Sequence, residues 1–282
     1  HDRLVEHLDD HPVDDALEPV LHDRLVGLLG EYMAVGGMPE AVNTWIETRS
    51  LELVRGVHTD LLVTYRQDFS KYARRGQVNY LEKVFSSVPR LLARKYVFSQ
   101  VDASMRARDL RPALEALTAA GVVTPVWHTK ASAVPLDADV DPRFFKTIFL
   151  DVALAQTLLG TRTGNWLVHP GQMLSSSGPV VEAFVGQELL AYSDPLTQGR
   201  LYYWARDKPG AKAEVDYVIA SGTDVVPVEV KGGKPGRLKS LRYFLANKRN
   251  SSHGLQISTR PFSTIDDCHS IPLYAVFRTM GG

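Results

Sequence analysis

The sequence predicts a mixed α+β and α/β protein: a helical N-terminal region, a small helical module with a hairpin, and a C-terminal domain of order αβββαβ(β) with a mixed sheet. Three observations carry this. Apolar residues recur at helical spacing between residues 19 and 78. Short helical segments over 79–121 are followed by a β-rich run. The last hundred residues change rhythm to alternating strands set between helices. The 282 residues are 44% hydrophobic and 23% charged, as in ordinary globular chains able to bury a core.

Residues 1–15 are acidic and thin in large apolar side chains, which suggests a helical remnant or connecting arm. In "LHDRLVGLLGEYMAVGG", Leu21, Leu25, Leu28, Leu29 and Tyr32 share a helical face, and Gly36-Gly37 end the helix. "MPEAVNTWIET" begins another helix with Pro39 in its first turn, and "LELVRGVHTDLLVTYRQDFSKYA" a longer one. Together these make a helical, lid-like region over 1–78.

Residues 79–160 read as a winged helix-turn-helix module. "NYLEKVFSSVPRLLARKYVFSQV" supplies two short helices, and "SMRARDLRPALEALTAAG" a third. In the third, Ser104 is the expected N-cap, Leu110, Leu114 and Leu117 form one face, and Gly121 is the stop. "VVTPVWHTKASAVPL" is the expected wing. Arg106, Arg108 and Arg111 fall on the polar side of the third helix. They suit a recognition helix that grips DNA, or equally a packing module with solvated arginines. "FFKTIFLDVALAQTLLG" reads as a helix or a strand followed by a helix. The Gly/Ser/Thr-rich stretch after it, without periodicity, places a domain boundary near 160–177. Residues 161–282 then hold the helix "PVVEAFVGQELLAYS", the strand "LYYWAR", two strands within 213–233, the helix "GRLKSLRYFLAN", and the strands "GLQIS" and "PLYAVFR".

The formal charge is zero but uneven. Residues 1–23 hold eight acids and one base, 66–111 eleven bases and four acids, and 229–249 seven bases and one acid. The two basic stretches suit phosphate backbones, or are solvated faces. The single Cys268 allows no internal disulfide and fits a reducing, cytoplasmic setting. No apolar run of membrane-spanning length and no secretory leader is evident. The start at His1 without Met suggests a piece of a longer chain.

"AEVDYVIASGTDVVPVEVKGG" places charge at every second residue of two strands. Glu214 and Asp216 share one face of the first strand, and Glu229 and Lys231 one face of the second. Carboxylates so aligned repel one another unless compensated, and a metal ion is the expected compensation. Asp216, then twelve residues, then Glu229-x-Lys231 is the pattern of the PD-(D/E)XK nuclease superfamily. Glu182 on the preceding helix is the expected fourth member, with Glu188 a second choice. Asp216, Glu229 and Glu182 offer hard oxygens to Mg²⁺ or Mn²⁺, which polarises a phosphodiester and acidifies bound water. Lys231 orients that water or neutralises the developing charge. Lys234 joins the three arginines as a DNA contact. The rival reading makes Asp216, Glu229 and Lys231 a structural ion-pair cluster.

"EYMAVGGMPEAVNTWIE", "YYWARDKPGAKAEVDYVI" and "VVPVEVKGG" resemble a large family of bacterial and archaeal AAA-type ATPases that end in a PD-(D/E)XK nuclease-like domain of unknown function. The resemblance runs from about residue 20 to the end. It implies a site at Glu182, Asp216, Glu229 and Lys231, and an upstream ATPase domain as partner. The family's phosphate loop, G-x-x-x-x-G-K-[ST], does not occur in this sequence, and "GGKP" lacks its spacing and hydroxyl, so no ATP site is expected here. The expectation is a metal-dependent DNA-cleaving module preceded by a DNA-positioning one. The alternatives are a non-catalytic DNA-binding or assembly module, and a regulatory half whose partner is the ATPase. A homo-oligomer fits any of them.

Overall fold

The structure, a computed structural model, describes residues 2–72, 76–193, 199–206, 213–233 and 238–279. The chain divides into two compact units. One comprises Gly30–Pro125 and Lys146–Pro170, the other His1–Leu29, Val126–Phe145 and Gly171–Gly282.

The first unit is mainly helical. The end of α2 (Pro19–Val35), α3 (Pro39–Thr48) and α4 (Leu51–Tyr72) are followed by α5 (Val78–Ser87), α6 (Phe98–Val101) and α7 (Ala107–Ala119). Gly36 ends α2 at φ +74°, a conformation that glycine adopts without strain. The space beside it is filled by Asp151, whose Oδ2 accepts the Gly37 amide at 2.8 Å. The same carboxylate caps α8 (Val152–Leu158), accepting the Ala153 and Leu154 amides at 2.8 Å each. His58 is fully buried and bonds the Val35 carbonyl at 2.9 Å, and burial lowers its pKa. Phe85 lies edge-on to both Phe69 and Phe149 at 5.3 and 5.2 Å.

Two expectations for this stretch are corrected. Ser104 does not cap α7: the N-cap is Arg106, with no side-chain cap. Asp102 captures Ser104 instead, accepting its amide at 3.0 Å and its hydroxyl at 2.6 Å in a turn that precedes the helix. The hairpin also does not close within 122–136. Strand β1 (Val123–Thr129) is hydrogen-bonded to β2 (Val140–Phe149), which follows a 3-10 turn over Leu136–Asp139. β2 leads straight into α8, so 144–160 is a strand followed by a helix. The Gly/Ser-rich stretch after α8 is not featureless: it forms α9 (Asn165–Val168) and α10 (Pro170–Ser176), burying Trp166 and Leu174.

The second unit is built on a mixed sheet. Among the described residues its strand order is β2-β1-β3-β4-β5-β6-β8-β7. α11 (Gly178–Ala191) precedes β3 (Leu201–Ala205), β4 (Glu214–Ser221) and β5 (Asp224–Lys231). After α12 (Lys239–Asn247) come β6 (Gly254–Ser258), β7 (Ser263–Ile265) and β8 (Cys268–Pro272). β1 pairs parallel to β3 with Trp127 opposite Tyr202, so it is an internal strand and not a free wing. β3, β4 and β5 run antiparallel in turn, while β5, β6 and β8 run parallel. Trp204, Val215, Val218, Val225 and Phe244 form a core between sheet and α12. "PLYAVFR" is not a strand. Pro272 has no N–H to extend a ladder, and Leu273–Thr279 coils into 3-10 turns that bury Leu273, Ala275 and Val276. α1 (Asp2–Asp9) belongs to this unit. Among the described residues no helix is long and apolar enough to cross a membrane.

Candidate functional site

The site forms where β4 and β5 part. Their ladder runs from Ser221↔Asp224 to Tyr217↔Val228. One residue beyond, Asp216 puts its side chain where the next backbone bond would fall: Oδ2 accepts the Val230 amide at 2.8 Å. A buried amide needs a partner, and the carboxylate stands in for the missing carbonyl. β4 meanwhile turns to β3, with Val215 opposite Trp204 and Glu214 opposite Ala205.

On β5 the Lys231 ammonium meets Glu229 Oε1 at 2.5 Å. The Lys231 side chain is 30% exposed and that of Glu229 is 9%. Burial alone would lower the Lys231 pKa. The Glu229 hydrogen bond, with the charges of Glu229, Asp216 and Glu182, outweighs it and raises the pKa above the ordinary lysine value.

Glu182 is held by backbone. The Tyr217 hydroxyl, buried on the sheet face opposite Asp216, donates to the Glu182 carbonyl at 2.8 Å. Burial, then the charges of Glu182 and Asp216, push the Tyr217 pKa well above its usual value. Glu188 does not join the group. Six residues along a helix turn the direction by about 240°. Its carboxyl is pushed by burial up to about 7, and its charge is felt by Tyr192 instead.

Asp216, Glu229 and Lys231 thus lie together at the end of the β4–β5 ladder, and Glu182 is carried on the turn of α11 that Tyr217 anchors. The carboxylates are not uncompensated, however, because Lys231 and the Val230 amide already stabilise them. Among the described residues no three His, Cys, Asp or Glu side chains form a ready-made metal cage. Two supports escape a reading of the sequence. Tyr217 fixes the turn of α11 that carries Glu182. Gly232 lets the α10 backbone approach the strand end, since a Cβ there would fall 2.1 Å from the Leu174 carbonyl oxygen.

Arg106, Arg108 and Arg111 are exposed at the start of α7. Arg108 lies 3.7 Å from Asp109, and the Arg111 guanidinium sits over the Phe98 ring at 5.3 Å. All four acids of the basic stretch are engaged: Asp68 by Lys71, Glu82 by Arg66, Asp102 by Lys83 and Asp109 by Arg108. Among the described residues of this stretch, Arg90, Arg94, Lys95, Arg106 and Arg111 are exposed bases outside those four ion pairs. Lys234 lies outside the described residues.

Two family models match the chain. A domain of unknown function (DUF8612) covers residues 27–165. A second domain of unknown function (DUF4143) covers residues 177–276, a domain typically found C-terminal to an AAA ATPase. No curated protein and no solved structure matches. The residues around β4 and β5 that carry the acid–lysine cluster lie within the DUF4143 match.

Proposed function

We propose that the α11–β8 portion is a metal-dependent phosphodiesterase module of the PD-(D/E)XK type acting on DNA, and that the helices α5–α7 form a module that grips the DNA backbone. The observation that carries the first part is that Asp216, through its bond to the Val230 amide, and the Glu229–Lys231 pair sit together where the β4–β5 ladder ends. The donors are all hard oxygens, which fits Mg²⁺ or Mn²⁺, held by Asp216, Glu229 and Glu182. Such a cation supplies Lewis acidity to a phosphodiester and lowers the pKa of bound water. Asp216 is oriented for its part by the Val230 amide, and Glu182 by the Tyr217 anchor on its own carbonyl. If a cation took over Glu229, Lys231 would offer a charge-assisted donor to a phosphate oxygen. The gripping role rests on the exposed arginines of α7 and on the surplus of bases there. In a longer protein, an upstream ATPase domain would drive both modules.

A second reading is favoured by one observation: the 2.5 Å contact between Lys231 and Glu229 satisfies both charges without a cation. In that reading the cluster is structural, and the domain binds DNA or assembles with the ATPase without cutting. Incubation of supercoiled and linear DNA with Mn²⁺ separates the two. The nuclease reading expects nicking by the parent chain, loss with Asp216→Asn and a milder loss with Glu182→Gln. Intact DNA with the parent, and equal DNA affinity in Asp216→Asn, would establish the non-catalytic reading.

A further inference from the structure

From Val230 to Ile265 the chain has eight lysines and arginines and no acid. The structure shows how those of α12 and its end are held. Arg242 pairs with Asp266 at 3.4 Å, both largely exposed. Lys239, in the first turn of α12, and Arg249, just past its end, are exposed and make no side-chain hydrogen bond or ion pair among the described residues. Two bases from outside this run join them. Lys130 follows β1, and the Lys248 ammonium donates to its carbonyl at 2.5 Å, while the Asn250 amide group donates to the Ser132 carbonyl at 3.4 Å. Arg206 follows β3, and its guanidinium lies over the Tyr243 ring at 4.8 Å. Tyr243 stacks on Trp204 at 6.1 Å, and the Lys248 ammonium lies 5.9 Å from the same Trp204 ring. A ring face attracts a cation without neutralising it. A base held by a ring or a carbonyl keeps its charge for a ligand and has less side-chain freedom left to lose on binding. Two acids border the patch: Asp139, which accepts the Ser132 amide at 3.2 Å, and Glu214, opposite Ala205 on β4.

The patch begins beside the candidate site. The Ser240 hydroxyl accepts the Glu214 amide at 3.3 Å, and Glu214 stands two residues before Asp216 on the same strand. The nine residues of α12 span about 13 Å, roughly four steps of about 3.4 Å along one nucleic-acid strand. We infer that Lys130, Arg206, Lys239, Lys248 and Arg249 form a second phosphate-binding surface, on which the sheet unit itself holds the backbone of a nucleic acid. This surface needs neither α7 nor a cation. It rests on DNA as the substrate proposed above, and does not rest on cleavage.

The test is fluorescence anisotropy of a labelled DNA duplex with the whole chain in chelator, over a range of salt. Replacing Lys130, Arg206 and Arg249 together by Gln should lower the salt slope by about 2–3, at roughly 0.9 for each phosphate no longer neutralised, and weaken binding by about tenfold or more. Arg206→Gln also uncovers the Tyr243 ring, so the exposed Arg249→Glu alone is the second variant. It should lower the slope by about 1 or more at an unchanged melting temperature. The parent's slope and affinity in both variants would overturn the inference. So would a parent chain that binds polyglutamate or phosphatidylserine vesicles through these bases and leaves the duplex unbound, which would make the partner an acidic protein or a membrane. If the parent binds DNA through these bases yet leaves it uncut in Mn²⁺, the nuclease reading fails and this one stands. If the parent cuts DNA and both variants bind like it, this one fails alone.

Discussion

Replacing Lys231 by methionine removes the ammonium that pairs with Glu229, while keeping a chain of similar length. Glu229, whose side chain is only 9% exposed, would be left without its ion-pair partner. Breaking a buried pair by deleting one member costs about 3–5 kcal/mol, and the 30% exposure of Lys231 reduces this to about 2–3 kcal/mol. In a domain of this size that is a fall of about 5–10 °C in melting temperature. The measurement is thermal unfolding in chelator, followed by the same scan in Mn²⁺. A cation bound at one hundred times its dissociation constant returns about 2.7 kcal/mol, so the variant should recover most of its deficit. The parent should gain less than the variant, because Lys231 already occupies Glu229. DNA cleavage should be abolished throughout. A variant as stable as the parent in chelator would refute the assignment of Lys231 as the counter-ion. A destabilised variant that Mn²⁺ does not rescue would refute the view that ammonium and cation exchange at Glu229.

Gly232→Ala should cost about 1–3 kcal/mol as an overpacking change, because its Cβ would meet backbone 2.1 Å away, and denaturant unfolding measures this. Glu188→Gln should stabilise at pH 8 by up to about 3 kcal/mol and leave pH 4 unchanged. The sign follows from a folded carboxyl that holds its proton to about 7 against an ordinary 4.5, so the folded state binds more protons between those values and stability falls as pH rises through them. Urea midpoints across pH 4–8 test it. Replacing Arg106, Arg108 and Arg111 together should lower the salt slope of duplex binding by about 1–3, at roughly 0.9 for each phosphate no longer neutralised. An unchanged slope in fluorescence anisotropy would leave α7 as a packing module.

The strands of the site are legible because alternation needs only local sequence: Asp216, Glu229 and Lys231 stand out against Val215, Val228 and Val230. Glu182 follows from helix order. What is illegible depends on register. That Asp216 caps the Val230 amide follows from where the β4–β5 ladder ends, and that Lys130 and Arg206 join the bases of α12 follows from the parallel pairing of β1 with β3. No window of a single strand holds either fact. α9 and α10, of four and seven residues, are too short for periodicity to register against Gly and Ser. The last strand is misplaced in the sequence because two adjacent apolar runs compete, and Pro272, read as the start of a strand, is where one ends. Ser104 resembles a cap by residue type alone, while Asp102, two residues before it, has the stronger local claim.

The central claim is that the acids around Lys231 hold a divalent cation. Crystals soaked in Mn²⁺ and measured for anomalous scattering test it most directly. The account predicts a single peak in contact with the Asp216 and Glu229 carboxylates, with the Lys231 ammonium moved away from Glu229. A soak at saturating Mn²⁺ with no peak, and Lys231 still 2.5 Å from Glu229 as in this structure, would contradict it.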